Sequence, residues 1–176
     1  MILVADFGHS ILDRQLVNYL AELPTFLAVN AQTNSGNNGY NLLTKYPRCD
    51  YFSIDKEEAH LAYHDKFESI TVIHDFLMAH TKAKVGAITL GRNGSRVMAD
   101  AEHFAQAPIL SDEVVDTIGA GDAFLAITSL LAKVGGKPDE LAFVGNTVGA
   151  MAVRILGNES FIEKTPLLKY IKTLLS

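Results

Sequence analysis

Val115-Asp116-Thr117-Ile118-Gly119-Ala120-Gly121-Asp122-Ala123-Phe124 decides how this chain is read. The run predicts an extended arm, a tight glycine turn and the first turn of a helix over Asp122–Val134. Gly119 and Gly121 remove side chains where the backbone must turn sharply or where a ligand must come close. The start of the following helix offers unpaired N–H groups and a partial positive charge, which together make an anion site. Asp122 stands at the mouth of that site. A carboxylate there has two readings. It is an N-cap for the helix, or it takes a proton from a hydroxyl that attacks a phosphoryl group held by the turn.

Composition bounds the rest. The chain has 176 residues, enough for one domain with a core of its own, and its 48% hydrophobic and 20% charged content fits a globular protein. The net charge of −5 comes with no basic run, which excludes nucleic-acid binding as the main role. Cys49 is the only cysteine, so no intrachain disulfide forms, and a reducing cytoplasm is the expected location. The apolar start at Met1–Ala5 stops at Asp6, too short for a signal-peptide core. No run approaches the ~20 apolar residues of a membrane span.

Outward from the signature, strands and helices alternate. Met1–Ala5, Thr25–Ala31, Cys49–Ile54 and Val85–Leu90 are apolar runs of the kind buried on both faces of a parallel sheet. Leu12–Leu23 and Ser69–Lys82 carry apolar residues at helical spacing. Gly91 and Gly94 bracket a turn after the fourth strand, with new strands at Arg96–Ala99 and His103–Ala107. Pro138 opens a helix whose long body, Leu141–Leu156, is spaced with small residues that suit close packing. Gly157 is expected to cap it. A last amphipathic helix spans Thr165–Leu175. This order predicts a three-layer α/β/α sandwich with a mainly parallel sheet.

Two further places bear on chemistry. Asp6-Phe7-Gly8-His9-Ser10 and Gln32–Gly39 both leave the carboxyl ends of strands, where ligands gather in open α/β sheets. Asp55 and Glu58 put two carboxylates at one helix start, as a capping box or as a cation site. His60 and His64 have zinc spacing but no third ligand nearby, and they are expected at the surface with His74 and His80.

The run Asp116-Thr117-Ile118-Gly119-Ala120-Gly121-Asp122 resembles the D-T-x-G-A-G-D signature of the ribokinase-like (pfkB) carbohydrate kinases. The chain is similar to their C-terminal half from end to end. The resemblance implies one kinase domain over residues 1–176, the nucleotide-binding portion, without the N-terminal half and the β-sheet lid. It implies ATP and Mg2+ as cofactors and a sugar or sugar phosphate as the acceptor. Asp122 then matches the base, and Gly119, Ala120 and Gly121 match the anion hole. Thr89, Gly91 and Gly94 match a T-x-G-x-x-G nucleotide motif, Thr117 joins them, and Asn146 falls where an adenine-contacting residue is usual. Glu58 matches the glutamate of an N-x-x-E magnesium motif, with Asp55 in place of the asparagine.

The stretches around Asp6 and Gln32 look most like the heptose 7-phosphate kinase branch of ADP-heptose synthesis. That branch carries D-Y-G-K-G where this chain has Asp6-Phe7-Gly8-His9-Ser10. Two other functions stay open: a non-catalytic nucleotide-binding or scaffold half-kinase, and the kinase part of a bifunctional heptose kinase/nucleotidyltransferase. A missing lid exposes sheet edge and apolar surface, so self-association is expected, the alternative partner being the missing N-terminal segment.

Overall fold

The computed structural model describes residues 1–111, 113–157 and 159–176. Among them, strands β1 (Ile2–Asp6), β2 (Leu27–Ala31), β3 (Tyr51–Asp55), β4 (Val85–Thr89), β5 (Ser95–Met98) and β6 (Phe104–Ala107) form one sheet in that spatial order. β1 to β4 run parallel, and β5 and β6 return as antiparallel neighbours. Helices α1 (Arg14–Glu22), α2 (Lys56–Tyr63) and α3 (Ile70–Thr81) cover one face. Helices α4 (Ala120–Lys133) and α5 (Pro138–Ala152) cover the other, and α6 (Lys164–Leu174) packs on α5. This is the three-layer α/β arrangement that the strand–helix alternation predicts.

Strand alternation explains the layers. Val4, Val29, Phe52, Gly86 and Met98 stand in one row across the sheet under α1–α3. Ala28, Tyr51, Ala87 and Val97 face α4 and α5, where small residues let the helices approach closely. Gly145 on α5 serves the same end, since a Cβ there would meet the ring of Phe124 on α4. β2 is buried along its whole length, whereas Leu3 and Ala5 on β1 remain exposed on the α4 side. Among the described residues no strand pairs with the outer edge of β1. No helix there is long and apolar enough to cross a membrane.

Several local expectations change. α4 begins at Ala120, two residues before the expected Asp122, because Gly119 adopts φ 79° and ends the turn ahead of it. α5 starts at Pro138 and stops at Ala152, short of the expected Leu156. Gly157 therefore caps no helix; its N–H donates instead to Asp116 Oδ2 at 3.0 Å. His74, expected at the surface, is fully buried against Phe52 because it lies on the core-facing stripe Ile73, His74, Leu77, Met78 of α3. His64 lies beyond α2 at φ 59° and His60 bonds the Asp65 carbonyl, so the two do not form a ligand pair.

Candidate functional site

The carboxyl ends of β1, β2 and β3 are tied into one platform. Asp6, the last residue of β1, is buried. It accepts the Tyr46 hydroxyl at 2.7 Å and the Gly8 N–H at 3.0 Å, and it pairs with Lys45. Burial pushes its carboxyl up, but Lys45, Tyr46 and the Gly8 N–H outweigh that and hold it below the usual carboxylate range. The chain leaving β2 is fixed at successive residues. Gln32 N–H donates to the Asp6 carbonyl at 2.8 Å. Asn41 Nδ2 donates to the Gln32 carbonyl at 3.0 Å. Thr33 N–H donates to Glu58 Oε1 at 3.0 Å.

Glu58 belongs to the first turn of α2. Its Oε2 accepts the Asp55 N–H at 3.0 Å, while Asp55 Oδ1 accepts the Glu58 N–H at 2.8 Å, so the pair forms a full capping box. Glu58 does more than cap, because its other oxygen holds the β2 loop. Burial pushes its carboxyl up to about 7, against the pull of the Asp55 and Thr33 N–H groups. The charges of Asp55 and Asp122 add to the rise. Asn30 Oδ1 and Thr33 Oγ1 in the same region are buried with no partner.

The signature loop is held to the end of α5. Val115 and Asp116 donate their N–H groups to the Val153 carbonyl at 2.8 and 3.1 Å. Asp116 accepts from the Ile118 and Gly157 N–H groups, which keep its carboxyl below the ordinary range. The turn then starts α4, with Asp122 exposed in its first turn. Across the platform, Gln32 Nε2 donates to Asp122 Oδ1 at 2.8 Å, joining residues 90 apart in sequence.

Beside this junction a cleft of about 490 Å³ runs between the β4–β5 turn and α5. Thr89, Gly91, Thr117, Ala120, Gly121 and Asn146 line it, with Arg92 and Asp55 at polar positions. Ile109, Leu110 and Val153 give it an apolar wall that suits a planar heterocycle, and the start of α4 opens onto it with N–H groups that suit an anion. A Cβ added at Gly91, Gly121 or Gly149 would project into open space, so these glycines leave room for a ligand.

Three of the expected site residues have other duties. Gly119 lines a separate apolar groove of about 360 Å³ beside Ala126, Ile127 and Val148; its contribution to the turn is its positive φ. Gly94, at φ 82°, lines the cleft beside Gly91 and also leaves room for the protein's own Ala107 carbonyl and Pro108. Asn146 donates both amide hydrogens, to the Ala107 and Pro108 carbonyls at 2.8 Å each, so its N–H groups build the cleft wall and none remains for a base. Gln32, Thr33 and Arg92 stand at the site without any sequence signal; only the polarity of the Gln32–Gly39 loop hinted at the first two.

Among the described residues no three His, Cys, Asp or Glu side chains stand together as a ready metal cluster. Glu58, Asp122 and the unpartnered Asn30 Oδ1 and Thr33 Oγ1 offer oxygen alone. That donor chemistry fits a hydrated hard cation such as Mg2+.

The profile of the pfkB family carbohydrate kinases matches residues 28–165. No curated protein sequence matches the chain. Among solved structures, Escherichia coli phosphofructokinase-2 in complex with potassium superposes with a TM-score of 0.75 at 16% identity, over 93% of this chain and 52% of that one. Ribokinase from Thermotoga maritima gives 0.71 at 17% identity, over 89% and 52%. Arabidopsis thaliana ribokinase complexed with ribose and ATP gives 0.68 at 20% identity, over 90% and 51%. The chain thus spans about half the length of these proteins.

Proposed function

Because the chain belongs to the pfkB family of carbohydrate kinases, we propose that it carries the nucleotide side of a site transferring the γ-phosphoryl group of ATP to a hydroxyl of a sugar or sugar phosphate. The observation that carries this reading is the position of Asp122. It stands in the first turn of α4, directly after Ala120 and Gly121, which line a cleft with an apolar wall.

In this reading the base of ATP lies along Ile109, Leu110 and Val153, and its phosphates pass Gly91 and Gly121. Ala120 and Gly121 present the backbone N–H groups of the first turn to the transferring group, where negative charge is shared over its oxygens. Gly119 makes that presentation possible by turning the chain. Thr117 and Thr89 line the phosphate end, and Arg92 supplies a cation there. Asn146 shapes the wall. Asp122 accepts the proton of the attacking hydroxyl. Glu58, with Asn30 and Thr33, would hold Mg2+ largely through water, and Asp55 caps the helix that carries Glu58. The ion, when bound, neutralises charge on the phosphate oxygens. The acceptor panel should include pentoses, hexoses and hexose phosphates. Heptose 7-phosphate belongs in it on the strength of the Asp6–Ser10 and Gln32–Gly39 stretches.

Asp122→Asn tests the assignment. Turnover should fall by about 10²–10⁴-fold while Mg–ADP affinity measured by calorimetry stays within about twofold. Wild-type turnover in that variant overturns the role of Asp122. Gly121→Val should weaken Mg–ADP binding, since its side chain would enter the cleft.

One observation favours a second reading, a nucleotide-binding half that turns over nothing alone. Among the described residues, Leu3 and Ala5 on the α4-facing side of β1 and Asp122 itself are exposed. Tight Mg–ADP binding with no ATP consumption on any acceptor in the panel would select it.

A further inference from the structure

Granting Asp122 its role as base, we propose that Gln32 is a positioning residue that aims the Asp122 carboxylate. An aspartate in an exposed first helical turn can occupy several rotamers, and only one points a carboxylate oxygen at an incoming hydroxyl. Gln32 removes that freedom. Its Nε2 holds Asp122 Oδ1 at 2.8 Å, which leaves Oδ2 for the acceptor.

The support behind Gln32 makes the contact more than a surface hydrogen bond. Its own N–H is fixed to the Asp6 carbonyl and its carbonyl to Asn41 Nδ2. Asn41 is buried, donates also to the Asp6 carbonyl at 2.8 Å, and accepts from Lys45 at 2.6 Å. The next residue, Thr33, is fixed by Glu58. Both backbone groups of Gln32 and the amide beyond it are therefore held by three separate segments, the end of β1, the loop at Asn41 and the first turn of α2, so its side chain starts from a rigid base. The choice of side chain is also chemical. A glutamine amide donates a hydrogen bond without carrying charge. It orients the carboxylate and leaves its negative charge for the proton it must accept, whereas an ammonium in the same place would neutralise that charge.

The test has a structural arm and a kinetic arm. In the first, the Gln32 side-chain amide is assigned by ¹⁵N NMR from its disappearance in Gln32→Met. In wild type it should be displaced from the ordinary glutamine position and slow to exchange with water, and it should return to that position in Asp122→Ala. An amide that does not respond to Asp122→Ala overturns the contact, and this arm needs no acceptor. In the second, Gln32→Met keeps the length and loses the donor. It should lower kcat by about 10- to 100-fold with KM for ATP and Mg–ADP affinity within about twofold, and Gln32→His, which restores a neutral donor, should recover part of the loss. Unchanged kcat in Gln32→Met beside an inactive Asp122→Asn overturns the positioning role and leaves the base assignment standing. Activity retained in Asp122→Asn overturns the base assignment itself.

Discussion

Asp6 and Glu58 are both buried carboxylates at the carboxyl end of one sheet, and the fold shifts them in opposite directions. Burial raises both. Asp6 is then given a cation and a phenol, Lys45 and Tyr46, and ends below the usual range. Glu58 is given only two backbone N–H groups, and its charged neighbours are Asp55 and Asp122. It rises to about 7. The comparison separates a carboxylate whose charge is satisfied within the protein from one whose charge still calls for a positive partner. The first joins β1 to the segment after β2; the second is where a bound cation would bring the largest relief.

The sharpest way to break the comparison is to remove the satisfied member. Asp6→Ala leaves Tyr46 without its acceptor and Lys45 without its counter-charge, and should cost about 3 kcal/mol in chemical denaturation. A loss under about 1 kcal/mol would mean the platform does not depend on it.

The next effect is a pH dependence. Glu58 ionises near 4.5 when unfolded and near 7 when folded. Its protonated form is favoured in the native state, so the stability it contributes is full below 4.5 and is lost as pH rises toward 7. The stability difference between wild type and Glu58→Gln should change by on the order of 2 kcal/mol across that window, and Mg2+ should recover part of it at pH 7.5. Taking the difference matters because His74 acts the other way. Burial and then the nearby Arg96 lower its imidazole from 6.5 to about 3, so its stability contribution is full above 6.5 and is lost as pH falls. A flat difference would show that Glu58 is as well satisfied as Asp6.

The smallest effect comes from the cap. Asp55→Ala removes one of the bonds that order the first turn of α2 and should cost about 1 kcal/mol. Mg–ADP affinity should change less than in Gly121→Val, because Asp55 acts on Glu58 through the helix. Equal losses in the two variants would place Asp55 in direct contact with the ligand.

Much of this site lies in plain view along the chain, and the misses have particular causes. His74 was legible, since Ile70, Ile73, His74, Leu77 and Met78 keep helical spacing and only the polarity of histidine argued for the surface. Gly94 lines the cleft, and only the fold shows that it also makes room for an atom 13 residues away on β6, at Ala107. Asn146 reads as a polar residue in a helix of small ones, and nothing local says that its amide is already spent. Gln32 sits in a polar loop leaving a strand end, and nothing in that loop points to Asp122, which lies 90 residues onward.

By itself the sequence determined the element order, the mainly parallel sheet and the turn at Gly119–Asp122, because each follows from short-range periodicity, glycine conformation and a compact signature. Only the tertiary structure decided which glycines have open space before them and which meet the protein's own atoms, which buried carboxylate has its counter-charge, and which side chain reaches Asp122. Those outcomes depend on strand ends brought together from distant parts of the chain, and the pairing of their polar groups is set by packing, to which local sequence patterns carry no reference.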